Sequence, residues 1–179
     1  DAQYVGLPPS GSKNPSAYNL NPSPGQTSMN PHVSYLNDSY KAAKGGILKA
    51  RLLAASEVSF ILAEAAWKGW ALPESAKAYY EQGVRNSLAT WGKEDAYNVY
   101  IQQPGVAFNN TQAQIMEQKW ISNWSTATQA WFDYRRTGYP QLKAGPAAIR
   151  SQLPLRIPYM QNEMSVNQKN ATEALARIE

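Results

Sequence analysis

The chain of 179 residues contains no cysteine, one histidine and only three phenylalanines. Without cysteine there is no disulfide, no thiolate zinc site and no cysteine nucleophile, and one imidazole cannot build a His-rich metal cluster. No metal and no cofactor are therefore expected. Blocks of like charge are missing too: 17 basic residues face 13 acidic ones, for a net charge of +4 spread along the chain. Such a small, scattered surplus nominates neither nucleic acid nor a membrane surface. The longest apolar stretch, Ile47 to Trp70, is interrupted by Lys49, Arg51, Glu57, Glu64 and Lys68, whereas a spanning helix needs about 20 apolar residues in a row. The first 46 residues show no basic stretch leading into an apolar one. No signal peptide is read there, which suits an intracellular protein or a piece of a longer one.

What is present is a hydrophobic content of 43% in about one domain's length of chain, enough to close a core that buries roughly 70% of the unfolded surface. The aromatic residues are unusual in kind, with 11 Tyr and 6 Trp. Most of the rings thus carry a polar handle and suit wet surfaces as well as cores.

Residues 1–46 hold six of the twelve prolines among many Asn, Ser and Gly, and no helical or strand period survives that density. They are expected to form an irregular surface segment on an all-α scaffold made of residues 47–179. From Ile47 the spacing becomes helical, with Leu48, Leu52, Ala55, Ser59, Leu62 and Ala66 as the expected buried stripe. Lys68-Gly69 reads as a helix end, and Pro73-Glu74 as the start of a second helix after a loop of about four residues. A loop that short makes an antiparallel hairpin. The second helix should bury Ala76, Tyr80, Gly83, Val84, Ser87 and Leu88 and stop near Trp91-Gly92; its small-aromatic-small spacing fits the second helix of a tetratricopeptide unit.

Asn98 to Asn110 reads as a connector. Thr111-x-x-Gln114 then opens a helix with a capping box, and Ala113, Met116, Trp120, Trp124, Ala127, Trp131 and Tyr134 fall on one face. Poor helix formers at 122, 123, 125 and 126 divide that stripe into two helices, with Thr126-x-x-Gln129 as a second capping box. Thr137-Gly138-Tyr139-Pro140 ends the second of them. Leu142 to Lys169 reads as mostly irregular, with a last short helix after Asn170 whose cap is completed by Glu173. Large rings repeating at helical spacing indicate a core, so the tryptophan stripe is assigned to the interior ahead of the alternative, a platform on which sugar rings stack.

The charged pairs read as structural. Glu57 and Glu64 are about 10.5 Å apart along a helix axis at 1.5 Å per residue, against roughly 5 to 9.5 Å for the carboxylates of glycosidases. Glu64 is expected to pair with Lys68, Glu57 to bond a neighbouring segment, and Asp133 to pair with Arg135 or Arg136.

Five stretches, taken in order, resemble the SusD/RagB family of outer-membrane nutrient-binding lipoproteins. They are Arg51-Leu-Leu-Ala-Ala-Ser-Glu57-Val-Ser-Phe60-Ile-Leu-Ala-Glu64-Ala-Ala, Ala76-Lys-Ala-Tyr79-Tyr80-Glu-Gln-Gly83-Val-Arg85, Gln118-Lys119-Trp120-Ile121, the run from Ala130 to Pro140, and Arg156-Ile157-Pro158-Tyr159 with Asn162-Glu163. The likeness covers the carboxy-terminal part of that family's chain. It implies an all-α fold with tetratricopeptide-like hairpins, no catalysis, and capture of glycans at the cell surface for a SusC-like TonB-dependent transporter. It also implies a lipid anchor in the intact protein, with some relatives taking peptides instead.

Within this chain the expected ligand contacts are Tyr18, Asn19, His32, Tyr35 and Asn37, since rings stack on sugar faces and amides both donate and accept. Packing of the same loop onto the helices is the competing expectation for these residues. A protein-interaction adaptor is the runner-up function, and a helical glycoside hydrolase using Glu57 or Glu64 with Asp133 the least favoured.

Overall fold

The computed structural model describes residues 37–38, 50–144, 153 and 159–177. Among these residues the secondary structure is helical, with no strand. The helices are α1 (Ala55–Trp67), α2 (Ala76–Thr90), α3 (Tyr97–Tyr100), α4 (Gln112–Ser122), α5 (Ala127–Thr137), α6 (Gln161–Val166) and α7 (Gln168–Ala176). None is long and apolar enough to cross a membrane.

Helix α1 begins eight residues later than the periodicity from Ile47 suggests. Ala54 is extended and offers no side-chain cap, and Arg51 turns away to lie 4.0 Å over the Trp91 ring and donate to Ser125 Oγ. The far end behaves as expected: Lys68 caps α1, and Gly69 takes a left-handed conformation (φ +86°). The connector to α2 is longer than four residues. Pro73 lies outside α2, which is capped instead by Ser75, whose Oγ accepts from the Ala78 amide at 3.1 Å.

Helices α1 and α2 pack as a hairpin, and α4 closes over both. The buried cluster holds Phe60, Ala63, Tyr79, Tyr80, Val84, Tyr97, Ile115 and Met116. Phe60 meets Tyr80 edge to face at 6.0 Å, a preferred geometry for ring pairs. Gly83 permits this approach: a Cβ there would stand 2.8 Å from the Phe60 ring. Tyr80 is fully buried and its hydroxyl donates to the Val106 carbonyl at 2.5 Å. That bond pins the connector, which holds the short helix α3 where the sequence suggested none.

The expected stripe holds only in part on α1: Ser59 is buried and Leu62 and Ala66 pack against the core, but Ala55 is exposed and the fully buried face is different. It consists of Ser56, Glu57, Ser59, Phe60, Ala63 and Glu64, while Leu52, Val58 and Ile61 are exposed. Small hydroxyl residues let the helices come close and satisfy one another. Ser122 Oγ bonds Ser56 Oγ at 2.7 Å, and Asn86 Nδ2 donates to Ser59 Oγ at 3.2 Å.

Helix α4 starts at Thr111, whose Oγ1 accepts from the Gln114 amide. Only half of the expected box forms. The Gln114 side chain accepts from the Asn109 amide (2.6 Å) and donates to the carbonyls of Gly105 and Ala107, so it fastens the connector rather than the cap. The break between α4 and α5 falls where the sequence puts it, but Thr126 makes no side-chain cap; its hydroxyl donates to the Asn123 carbonyl. Gly138 ends α5 with φ +75°. Toward the carboxy terminus α6 and the start of α7 occupy the last part of the stretch expected to be irregular. Asn167 joins them by donating to Glu163 Oε1 and accepting from Asn170, each at 2.6 Å, so Asn167 rather than Asn170 marks the helix junction.

Candidate functional site

Two groups of side chains carry chemistry among the described residues, and they lie on opposite sides of α4 and α5. The first is a chain of charges. Arg136 grips Glu64 with both nitrogens at 2.7 Å, and Lys68 Nζ and Gln112 Nε2 reach the same carboxylate at 2.8 and 3.0 Å. Arg136 also donates to Asp133 (3.1 Å), whose other oxygen lies 2.7 Å from Lys119 Nζ, a cation only 3% exposed. Burial raises the Glu64 carboxyl, but hydrogen bonds from Arg136, Lys68 and Gln112 outweigh it and hold the group at about 2. The Arg136 guanidinium is raised correspondingly, first by its bond to Glu64. A carboxylate held this firmly ionised is a poor proton donor, and Asp133 is occupied by two cations. The network ties α5 and α4 to α1, joining residues 72 apart in sequence. Glu57 departs from expectation: it is buried, yet its carboxylate has no bonded partner among the described residues and lines a cleft instead.

The second group is aromatic. Trp120, Trp124 and Trp131 were assigned to the core by their spacing, and the structure corrects this: Trp120 is 39% and Trp124 46% exposed, and Trp131 is half-buried. Helix α4 instead buries Gln114, Ile115, Met116, Gln118, Lys119 and Ser122. The five positions at three- and four-residue spacing after Met116 do share a face, but that face borders a partly open cavity of about 150 Å³. Its walls are Trp120, Trp124, Trp131, Tyr134, Ala127, Ala130 and Leu142, and Asn123 also lines it. A space of this size accepts about one six-membered ring.

Asn123 stands out in that lining. It is 2% exposed, and its Nδ2 has no hydrogen-bond partner among the described residues. An unmatched buried donor costs on the order of 1–3 kcal/mol. The backbone fixes it in place, because Asn123 caps α4 and its carbonyl accepts from the Thr126 amide at 2.8 Å.

A second cleft, polar and of about 260 Å³, is lined by Arg51, Leu52, Glu57, Thr126, Thr128 and Gln129. Trp124 lies against Trp91 with ring centroids 4.9 Å apart and planes tilted by 40°, and Arg51 covers Trp91 in turn. Indole faces flanked by guanidinium, carboxylate, amide and hydroxyl groups can stack on a ring and exchange hydrogen bonds with hydroxyls. No group of three or more metal-ligating side chains occurs among the described residues.

Of the residues singled out in the sequence as ligand contacts, Tyr18, Asn19, His32 and Tyr35 lie outside the described residues. Asn37 is described and exposed. The sequence singles out Glu57 only as a charged residue and Thr126 and Gln129 only as a capping box; their gathering with Arg51 and Thr128 around one cleft depends on the packing of α1 against α4.

Comparison with known proteins agrees with the fold. Residues 3–160 match the SusD-like family described as starch-binding and associating with the outer membrane. A SusD homologue from Bacteroides vulgatus is 30% identical, with a TM-score of 0.54 over 70% of this chain and 33% of its own. One from Bacteroides thetaiotaomicron is 27% identical, with a TM-score of 0.55 over 69% of this chain and 34% of its own. A chitin-binding protein is 31% identical, with a TM-score of 0.50 over 69% of this chain and 29% of its own. The chain thus spans about a third of the length of these solved relatives. No curated protein matches it.

Proposed function

Because the chain belongs to the SusD-like family and corresponds to its carboxy-terminal portion, we propose that it serves in binding oligosaccharide or polysaccharide at the outer surface of the outer membrane. In this reading the intact protein is lipid-anchored, has no catalytic step, and delivers glycan to a SusC-like TonB-dependent transporter. The observation that carries the reading is the display of indole rings beside a polar cleft, at positions whose spacing would normally mark a core. The similarity to a chitin-binding protein supports a polysaccharide ligand. Occupation of Glu64 and Asp133 by cations speaks against the hydrolase alternative.

Residues 1–46 form, on this proposal, a surface segment on the 47–179 scaffold, and Tyr18, Asn19, His32, Tyr35 and Asn37 contribute further ligand contacts. Exposed Val58 and Ile61 on the hairpin supply an apolar surface for a protein partner, which fits transporter contact and also the adaptor alternative. A glycan and peptide array probed with the chain tests the proposal. Binding of an oligosaccharide, weakened in Trp124→Ala, Tyr18→Ala or Tyr35→Ala, is the expected outcome. Retention of no glycan on an array where a transporter nonetheless copurifies would transfer the assignment to the adaptor.

A further inference from the structure

Helix α1 buries two glutamates, and only one of them is matched. Glu64 is gripped by Arg136, Lys68 and Gln112. Glu57 is 8% exposed, and no side chain or amide among the described residues bonds its carboxylate. Its oxygens are not sealed in, so the cleft of about 260 Å³ that it lines is where they meet water. Glu57 stands in the first turn of α1, where the free amides of a helix start favour negative charge. The residue keeps its place there without a bonded cation.

The rest of the lining decides what that carboxylate can receive. Arg51 brings one positive charge, already drawn to the Trp91 ring and to Ser125 Oγ. One cation and one anion leave the cleft without net charge. An ammonium group therefore meets Arg51 as a like charge, and a ligand carboxylate or sulfate meets Glu57, with little water to screen either. Thr126, Thr128 and Gln129 complete the wall with two hydroxyls and an amide, groups that both donate and accept. The Thr126 hydroxyl donates to the Asn123 carbonyl, which leaves its oxygen to accept. A neutral ring bearing hydroxyls suits all of these at once: adjacent hydroxyls donate to the two carboxylate oxygens, and other ligand oxygens accept from Thr128 and Gln129. The volume is below the roughly 300–1,000 Å³ of pockets that enclose drug-sized molecules. It suits one sugar residue of a longer chain.

We infer that this cleft is a subsite for one neutral hexose of a glycan chain, in which Glu57 accepts from adjacent hydroxyls and disfavours acidic sugars. The subsite rests on the carbohydrate-binding reading above and adds to it a place, the cleft lined from α1 and the start of α5, and a sugar class.

The test is calorimetric titration of the 179-residue chain with cellohexaose and maltohexaose, with the form of each oxidised to the uronate at C6, and with the β-1,4-linked glucosamine hexamer. A neutral hexamer is expected to bind at least about tenfold more tightly than its uronate form. Glu57→Gln should weaken the neutral hexamer by about tenfold, the scale of one hydrogen bond to a charged group, and narrow its margin over the uronate. The Tm of this variant should stay near that of the native chain, because no bond within the protein is lost. Gln129→Leu, a change away from the carboxylate, should weaken the same hexamer by about threefold to tenfold. Neutral binding indifferent to Glu57→Gln, or tightest binding by a uronate or by the glucosamine hexamer, overturns the subsite. So does a large fall in the Tm of Glu57→Gln, which would show the carboxylate to be matched within the protein. If the glycan array yields only acidic or aminated ligands, the sugar class falls and the carbohydrate-binding function stands; another neutral glycan found there takes the hexamer's place in the titrations. If no glycan binds at all, both fall together.

Discussion

The two sides of α4 use their large side chains for opposite ends. Facing α1 and α2, Ile115 and Met116 are fully buried among Phe60, Tyr80 and Val84, and the polar residues Gln118 and Lys119 that share that burial are matched by Tyr100 and Asp133. Facing α5, Trp120 and Trp124 stay about two-fifths open and line a cavity beside the buried Asn123. Size and apolarity do not decide burial here. What separates the two sides is how far their residues are covered: Ile115, Met116, Gln118 and Lys119 are buried by neighbouring helices, and the rings of Trp120 and Trp124 keep much of their surface exposed.

The comparison breaks most sharply at Phe60. Phe60→Ala empties the middle of the cluster and should cost about 3–5 kcal/mol in urea denaturation, whereas Trp120→Ala, which removes more atoms from a partly wet position, should cost only about 1–2 kcal/mol.

Next in size is the charged brace. Glu64→Gln should destabilise by about 2–3 kcal/mol, less than for a fully buried pair because Arg136 is 45% exposed and is rehydrated once its partner is gone. The pH dependence follows from the same pair. The folded carboxyl at about 2 lies below its unfolded value of about 4.3, so the stabilisation is complete above pH ~4.3 and is lost as pH falls through about 2. The gap in Tm between the native chain and Glu64→Gln should accordingly be wide at pH 7 and close toward pH 2. Smaller again is Gly83→Ala, which forces the Phe60 ring to give way to a Cβ at 2.8 Å and should cost about 1–3 kcal/mol, read by thermal denaturation.

These effects mark what could be read in the chain. The hairpin, the break between α4 and α5, and the glycine ends at Gly69 and Gly138 all followed from local chemistry, since caps and left-handed glycines act within a few residues. The identity of buried faces did not. On α1 the buried face includes two serines and Glu64, whose partners Ser122 and Arg136 stand 66 and 72 residues away from the groups they bond. Hydrophobic periodicity counts only apolar positions and passes over polar ones that are buried because they are matched. For the candidate site the spacing grouped Trp120, Trp124, Trp131 and Tyr134 correctly, and the structure gathers them around one cavity; it was their burial that was misassigned. Period identifies which residues share a face, and the packing of neighbouring helices determines whether that face is covered.

The central claim, that the tryptophan side of α4 and α5 is a binding surface and the opposite side the core, is met most directly by pairing stability with glycan retention in Trp120→Ala. The expected result is a Tm close to that of the native chain together with loss of oligosaccharide binding. A Tm that falls as far as in Phe60→Ala, with binding by the remaining folded protein undiminished, would return these rings to the interior and contradict the account.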